Sequence, residues 1–186
     1  IEGEPTTREQ VLSSNLARPQ DVEDILKNVV TVSIDALERL KSEADPAGIA
    51  EAVRLMHDAR HVYVAGLRRS RPVADYLVYG MLRMEKSSSS LDFAGGMAGP
   101  QISTLSESDV LVAIAFPPYS QPVVNAVMDA HLSGRTVIAI TDSASSPLSQ
   151  NANVTLYVDA DTAAQLQPVS APMCLIQTLL VLVGQS

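Results

Sequence analysis

A chain of 186 residues with 46% hydrophobic side chains can bury one sizeable core and is too apolar to remain disordered. Its formal net charge of −8 excludes unaided gripping of DNA or RNA, because nonspecific affinity rests on neutralising phosphates. The longest nearly apolar run, Pro172 to Val183, is too short to cross a bilayer, and the polar stretch 1–18 carries no secretory signal. Cys174 is the only cysteine, so an internal disulfide is excluded; among Met173, Leu175 and Ile176 it reads as a small buried hydrophobe rather than a nucleophile. A cytoplasmic protein without membrane contact is expected.

Residues 1–20 have little periodicity and contain Pro5 and Pro19, so they read as a linker ahead of one domain at 21–186. Asp21 is placed to cap a helix running to about Ser42, with an apolar stripe through Val22, Ile25, Leu26, Val29, Val32, Ala36, Leu37 and Leu40. Val30 and Ile34 widen that surface. Packing on a partner subunit is the expectation, with packing on its own domain the alternative. Asp45-Pro46 then signals a second helix to about Asp58, an N-cap followed by proline at the first helical position.

A strand from His61 to Ala65, the loop Gly66 to Ser70 and a helix over about Arg71 to Met84 follow. A short strand is expected through Ser87 to Leu91, then a glycine-rich loop from Ala94 to Leu105 with at most one or two helical turns. The firmest unit begins at Asp109. Val110 to Phe116 is continuously apolar, as a strand covered on both faces is. A helix from about Gln121 to Ser133 carries Val123, Val124, Ala126, Val127 and Ala130 towards one broad face, and Gly134 stops it in the left-handed conformation. Val137 to Ile140 resumes the strand pattern. A short helix near Pro147 capped by Ser146, a strand over Val154 to Val158, a polar connection Asp159 to Gln165 and a helix from about Leu166 to Val183 complete the chain. Strands alternating with helices predict an α/β fold, with helices on both faces of a mostly parallel five-stranded sheet and right-handed crossovers.

Two loops echo each other. The first strand is followed by Gly66 and then Ser70-Arg71-Pro72; the third is followed by Ser120-Gln121-Pro122. Each gives a buried strand, a tight turn, a serine able to cap the next helix, and proline in its first turn. Ligands of open α/β sheets bind beyond the carboxyl ends of strands, where helix N-termini also attract anions. Gly66, Arg68, Arg69 and Ser70 are therefore candidates on one side, and Tyr119 and Ser120 on the other. Simple capping explains both serines equally well, and solvated arginines need no ligand. Ser90, at the end of the short strand, and Asp142, after the fourth strand, can add oxygen groups to the same crevice; capping is the competing role for Asp142.

Acid–base catalysis needs a base beside the proton it removes. Glu107 lies in a turn before a strand and His57 and His61 flank another, away from the binding ends, and His131 lies late in a helix. The sequence lacks GxGxxG and GxxxxGK[ST], and none of its histidines pairs with Cys or Asp at metal-binding spacing, so no cofactor or metal is expected.

The stretches HVYVAGLRRS, SESDVLVAIAFPPYSQPVV and SGRTVIAITDSASSPLSQNANVTLYVD, with the leading helix, resemble the SIS (sugar isomerase) domain of RpiR/MurR-type bacterial transcriptional regulators over about Asp21 to Val183. The resemblance implies a three-layer αβα sandwich with a five-stranded parallel sheet, a homodimer or higher homo-oligomer, and a phosphorylated sugar or sugar acid as ligand. It also implies that DNA is contacted only through an N-terminal helix-turn-helix domain not contained in this sequence. Gly66 and Ser70 match the family's first loop, while Arg68 stands at its second glycine. Ser120 matches the end of the second loop, while Ala115, Pro117 and Pro118 occupy places where serines and glycine are common. Either Arg68 and Arg69 replace the phosphate nest, or the ligand depends less on phosphate. An effector-sensing, non-enzymatic domain is the leading expectation; a sugar-phosphate isomerase and a dimerisation scaffold are the alternatives.

Overall fold

The computed structural model describes residues 18–159 and 168–186. Helix α1 (Pro19–Glu43) and α2 (Pro46–Asp58) precede β1 (His61–Gly66), α3 (Arg71–Arg83) and β2 (Ser88–Ser90). A short α4 (Ala98–Ser103) leads to β3 (Asp109–Ile114), α5 (Gln121–Leu132), β4 (Thr136–Thr141), β5 (Val154–Tyr157) and α6 (Ser170–Val183). The strands form one five-stranded sheet in the order β2-β1-β3-β4-β5, every pair parallel. This is the three-layer α/β sandwich that the strand–helix alternation predicts.

Strand periodicity divides the core. Val110, Val112 and Ile114 point to one face with Val62, Val64, Ile138 and Ile140, and pack against α2, α3 and α6. Leu111 and Ala113 point to the other with Val137 and Ala139, and pack against α4 and α5. Every residue of β3 is buried, which is why the strand reads as an unbroken apolar run. Fully buried Leu77, Leu111, Ile138, Ile140 and Leu179 each contribute about 1.5–3 kcal/mol by leaving water.

Several local expectations need correction. Helix α1 starts at Pro19, so Asp21 sits inside its first turn, where its carboxylate accepts the backbone N–H of Arg18 at 3.2 Å. Near Pro147 there is only a single 3₁₀ turn, Ser149–Asn151, although the Ser146 hydroxyl does accept the Leu148 N–H at 3.2 Å. Helix α6 begins at Ser170, with Pro172 in its first turn; the connection expected up to Gln165 lies, from residue 160 onward, outside the described residues. Most of the linker expected at 1–20 lies outside them too. Gly134 does adopt the left-handed conformation, at φ 68°.

The stripe of α1 divides along its length. Ala36 is buried, and Leu37 and Leu40 pack against the core. Val22, Ile25, Leu26, Val30 and Ile34 stay exposed, at 47–61% of their surface. Among the described residues no helix is long and apolar enough to cross a membrane.

Candidate functional site

The sheet order reverses at β1: the chain moves outward to β2 and returns on the other side as β3. The carboxyl ends of β1 and β3 flank this switch point, where parallel sheets leave a crevice. Their register runs from His61 opposite Asp109 to Gly66 opposite Ile114, so the strands end level and the following loops rise side by side.

The first loop turns at once into a 3₁₀ segment, Arg68–Ser70, that feeds α3. Gly66 makes this turn sterically open. A Cβ there would stand 2.7 Å from the Ala74 Cβ and 3.0 Å from the Ser70 carbonyl oxygen. Arg68 takes the left-handed conformation, at φ 54°. The second loop runs from Ala115 to Ser120 through a cis Pro117–Pro118 bond. Its two prolines have no N–H to offer an anion.

Between the loops lies a cleft of about 150 Å³, lined by Arg68, Arg69 and Ser70 on one side and Ala115, Phe116, Pro118 and Ser120 on the other. Ser70 and Ser120 are buried at 3% and 7% exposure, and neither side chain caps its helix. The alternative of simple capping is thus realised by neither side chain. In each helix the turn is closed by main-chain bonds or left to solvent, and the hydroxyl belongs to the cleft wall.

Arg69 spans the crevice. Its guanidinium lies 5.1 Å from the centre of the Phe116 ring and donates to the Pro117 carbonyl at 3.4 Å. Burial pushes its pKa down, against the pull of the Asp142 carboxylate. An arginine remains charged under such shifts, so the cleft keeps a positive wall.

The other candidates, Tyr119, Asp142 and Ser90, are not in the lining of the cleft. The Tyr119 hydroxyl donates to Asp142 Oδ1 at 2.6 Å, and Thr141 donates to the same oxygen at 3.1 Å. Burial raises the Tyr119 pKa, and the Asp142 carboxylate adds to the effect. Ser90 donates to Asp75 at 3.3 Å, a carboxylate already paired with Arg71 at 2.7 Å. Sequence reasoning missed Phe116 as the platform for Arg69; its only signal was one large aromatic closing an aliphatic strand.

A larger groove of about 640 Å³ lies between α2 and α6, lined by Ile49, Val53, His57 and Leu182 among others. It is mainly apolar, and its one arginine, Arg54, is held by Glu51 and Asp58 at 2.7 and 3.3 Å. No loop from the carboxyl ends of the strands reaches it. The smaller cleft at the switch point has the non-capping hydroxyls of Ser70 and Ser120 and the cations Arg68 and Arg69, and it is the functional candidate.

Fold and cleft together define a parallel α/β ligand-binding domain whose site suits an anion with hydroxyl groups. Residues 55–182 match the SIS domain model, and the chain belongs to the SIS domain family. No curated protein matches it by sequence. The chain is similar to the sugar isomerase domain of an RpiR transcription factor from Sphaerobacter thermophilus, at 23% identity and TM-score 0.81 over 85% of this chain and 88% of that one. It is similar to the Vibrio vulnificus NanR protein complexed with ManNAc-6P, at 20% identity and TM-score 0.76, over 88% of this chain and 64% of that one. A phosphoheptose isomerase from Francisella tularensis is similar at 21% identity and TM-score 0.68, over 90% of this chain and 98% of that one.

The last likeness corrects the expectation of a non-enzymatic domain, since an isomerase has this architecture over nearly its whole length. That expectation rested on the remoteness of Glu107, His57, His61 and His131 and treated Asp142 as a cap. Asp142 instead accepts a hydrogen bond from the Tyr119 hydroxyl at 2.6 Å, next to the cleft.

Proposed function

We propose that this domain binds a phosphorylated sugar or related sugar acid, with the anionic group in the cleft between residues 67–70 and 115–120. The observation that carries the reading is the pair of buried serines, Ser70 and Ser120, whose hydroxyls face a cation-lined cleft and do not cap. Hydroxyls and guanidinium groups satisfy a phosphate or carboxylate in directions that the prolines of the second loop leave unserved. The NanR complex with ManNAc-6P supports the same ligand class.

Two outputs of such binding are supported by separate observations. The likeness to the RpiR sugar isomerase domain favours an effector-sensing role in a cytoplasmic transcriptional regulator, with DNA contacted through a helix-turn-helix domain. In that reading a second copy covers the exposed apolar face of α1, and the ligand biases the arrangement of the pair. The Tyr119–Asp142 pair favours isomerase chemistry, because a phenol and a carboxylate 2.6 Å apart can pass a proton to and from a bound sugar.

Calorimetry with a panel of sugar phosphates tests the binding, and an aldose–ketose interconversion assay on the same panel separates the outputs. Ser120→Ala is expected to weaken the tightest ligand about tenfold or more, the scale of a lost hydrogen bond to a charged group, while stability changes by less than about 0.5 kcal/mol. Equal affinity of both proteins would remove Ser120 from the site. Turnover abolished by Asp142→Asn would favour the isomerase.

A further inference from the structure

Arg68 occupies a backbone conformation, φ 54°, that glycine enters freely and a residue with a Cβ enters at a cost. Nothing in the packing of the loop explains the choice, because the Arg68 side chain is exposed at the lip of the cleft. The chain carries a net charge of −8, and Arg39, Arg54, Arg60 and Arg71 are each paired with a carboxylate. Among the described residues Arg68, like Arg83 and Arg135, makes no ion pair, and of these three only Arg68 lines the cleft. Its neighbour Arg69 is committed to the Phe116 ring and the Pro117 carbonyl. The facing loop offers no N–H at Pro117 or Pro118, so an unbroken run of main-chain donors cannot wrap an anion from that side. Strain retained at a cleft, together with an unpaired cation, is a combination that function maintains.

We infer that Arg68 is the specificity-determining residue of the cleft: its guanidinium grips the anionic group of the ligand, phosphate or carboxylate, by a forked pair of hydrogen bonds. This assignment rests on the ligand reading proposed above and adds to it which side chain carries the charge selection. A merely structural residue would move stability and affinity together. Arg68 should move them in opposite directions, because Arg68→Gly relieves the backbone while removing the cation.

The test is calorimetry of wild type, Arg68→Gly, Arg68→Lys and Ser120→Ala with glucose 6-phosphate, gluconate and 6-phosphogluconate, alongside thermal unfolding of each protein. Arg68→Gly is expected to unfold at a higher temperature than wild type and to bind its best probe at least tenfold more weakly. Arg68→Lys should fall between the two, since an ammonium keeps the charge and loses the fork. Glucose 6-phosphate against gluconate shows whether phosphate or carboxylate is the gripped group. Wild-type affinity in Arg68→Gly, with Ser120→Ala still weakened, overturns the assignment of Arg68 alone. Failure of wild type to bind any probe overturns the ligand reading and this assignment with it.

Discussion

Gly66→Ala is expected to lower the unfolding free energy by about 1–3 kcal/mol, the usual cost of forcing a methyl group into a packed site, and to weaken sugar-phosphate binding in parallel. The cause is space. The added Cβ would meet the Ala74 Cβ at 2.7 Å and the Ser70 carbonyl at 3.0 Å, both on the first turn of α3 or the loop leading to it. Neither neighbour is the flexible end of a long side chain, so the loop and the helix start must part. That movement carries Ser70 and Arg69 away from Ser120 and Phe116 and opens the cleft they share. Urea unfolding should show a lower midpoint with an unchanged slope, and calorimetry a weaker ligand. Gly99→Ala is the control: a Cβ there, in the first turn of α4, meets nothing within 4 Å, so it should leave affinity unmoved and the midpoint equal or slightly raised. A Gly66→Ala protein with wild-type midpoint and affinity would contradict the packing argument.

What was readable in the sequence follows from how far apart the interacting residues are. Helix α2 was legible from its start at Pro46 to its end at Asp58, because Asp45 accepts the N–H groups of Ala47 and Gly48 within its own turn. β3 was legible because burial on both faces writes an apolar run into consecutive positions. The two loops could be matched by their serine and proline spacing. Their chemistry could not. A serine before a proline-started helix satisfies the capping rule whether or not its hydroxyl caps, and only the meeting of two loops reveals that Ser70 and Ser120 face a cleft.

The partners of Arg69 and Asp142 were hidden for the same reason. Phe116 and Pro117 lie nearly fifty residues beyond Arg69, and Tyr119 lies 23 residues before Asp142. No local pattern connects such pairs; the parallel register of β1 with β3 and of β3 with β4 does. Neighbours along the chain give Asp142 no sign of its Tyr119 partner. Pairing by sheet register makes Asp142 the acceptor of the Tyr119 hydroxyl.

The opposite end of the sheet should dominate the acid response of the fold, and Asp109→Ala should cost about 2–3 kcal/mol. Asp109 is fully buried at the start of β3, where one carboxylate oxygen accepts from Arg60 at 2.7 Å and from the Ser106 N–H and hydroxyl at 2.7 and 2.9 Å. Burial alone would raise its pKa, but Arg60 and the Ser106 bonds hold it below the usual carboxylate value. Arg60 is 62% exposed, so most of the loss in the variant comes from the Ser106 contacts rather than from the ion pair. Nearby His61 sits between Ser87 and Ser89, at 2.7 and 2.8 Å. Burial lowers its pKa, with Asp109 opposing and Arg60 adding to the effect. Both folded values are depressed, so in both cases the unfolded chain binds more protons and stability falls with falling pH. The His61 contribution is present above about pH 6.5 and declines below it; the Asp109 contribution is present above about pH 4 and is lost as pH falls through the folded value. Thermal unfolding between pH 7.5 and 3 should therefore decline in two stages. His61→Gln is expected to flatten the first stage while leaving sugar-phosphate affinity at pH 7.5 unchanged, because His61 lies at the amino end of β1 and the cleft at the carboxyl end. A first stage that persists in His61→Gln would assign it to another group, and a loss of affinity would show that the two ends of the sheet are coupled.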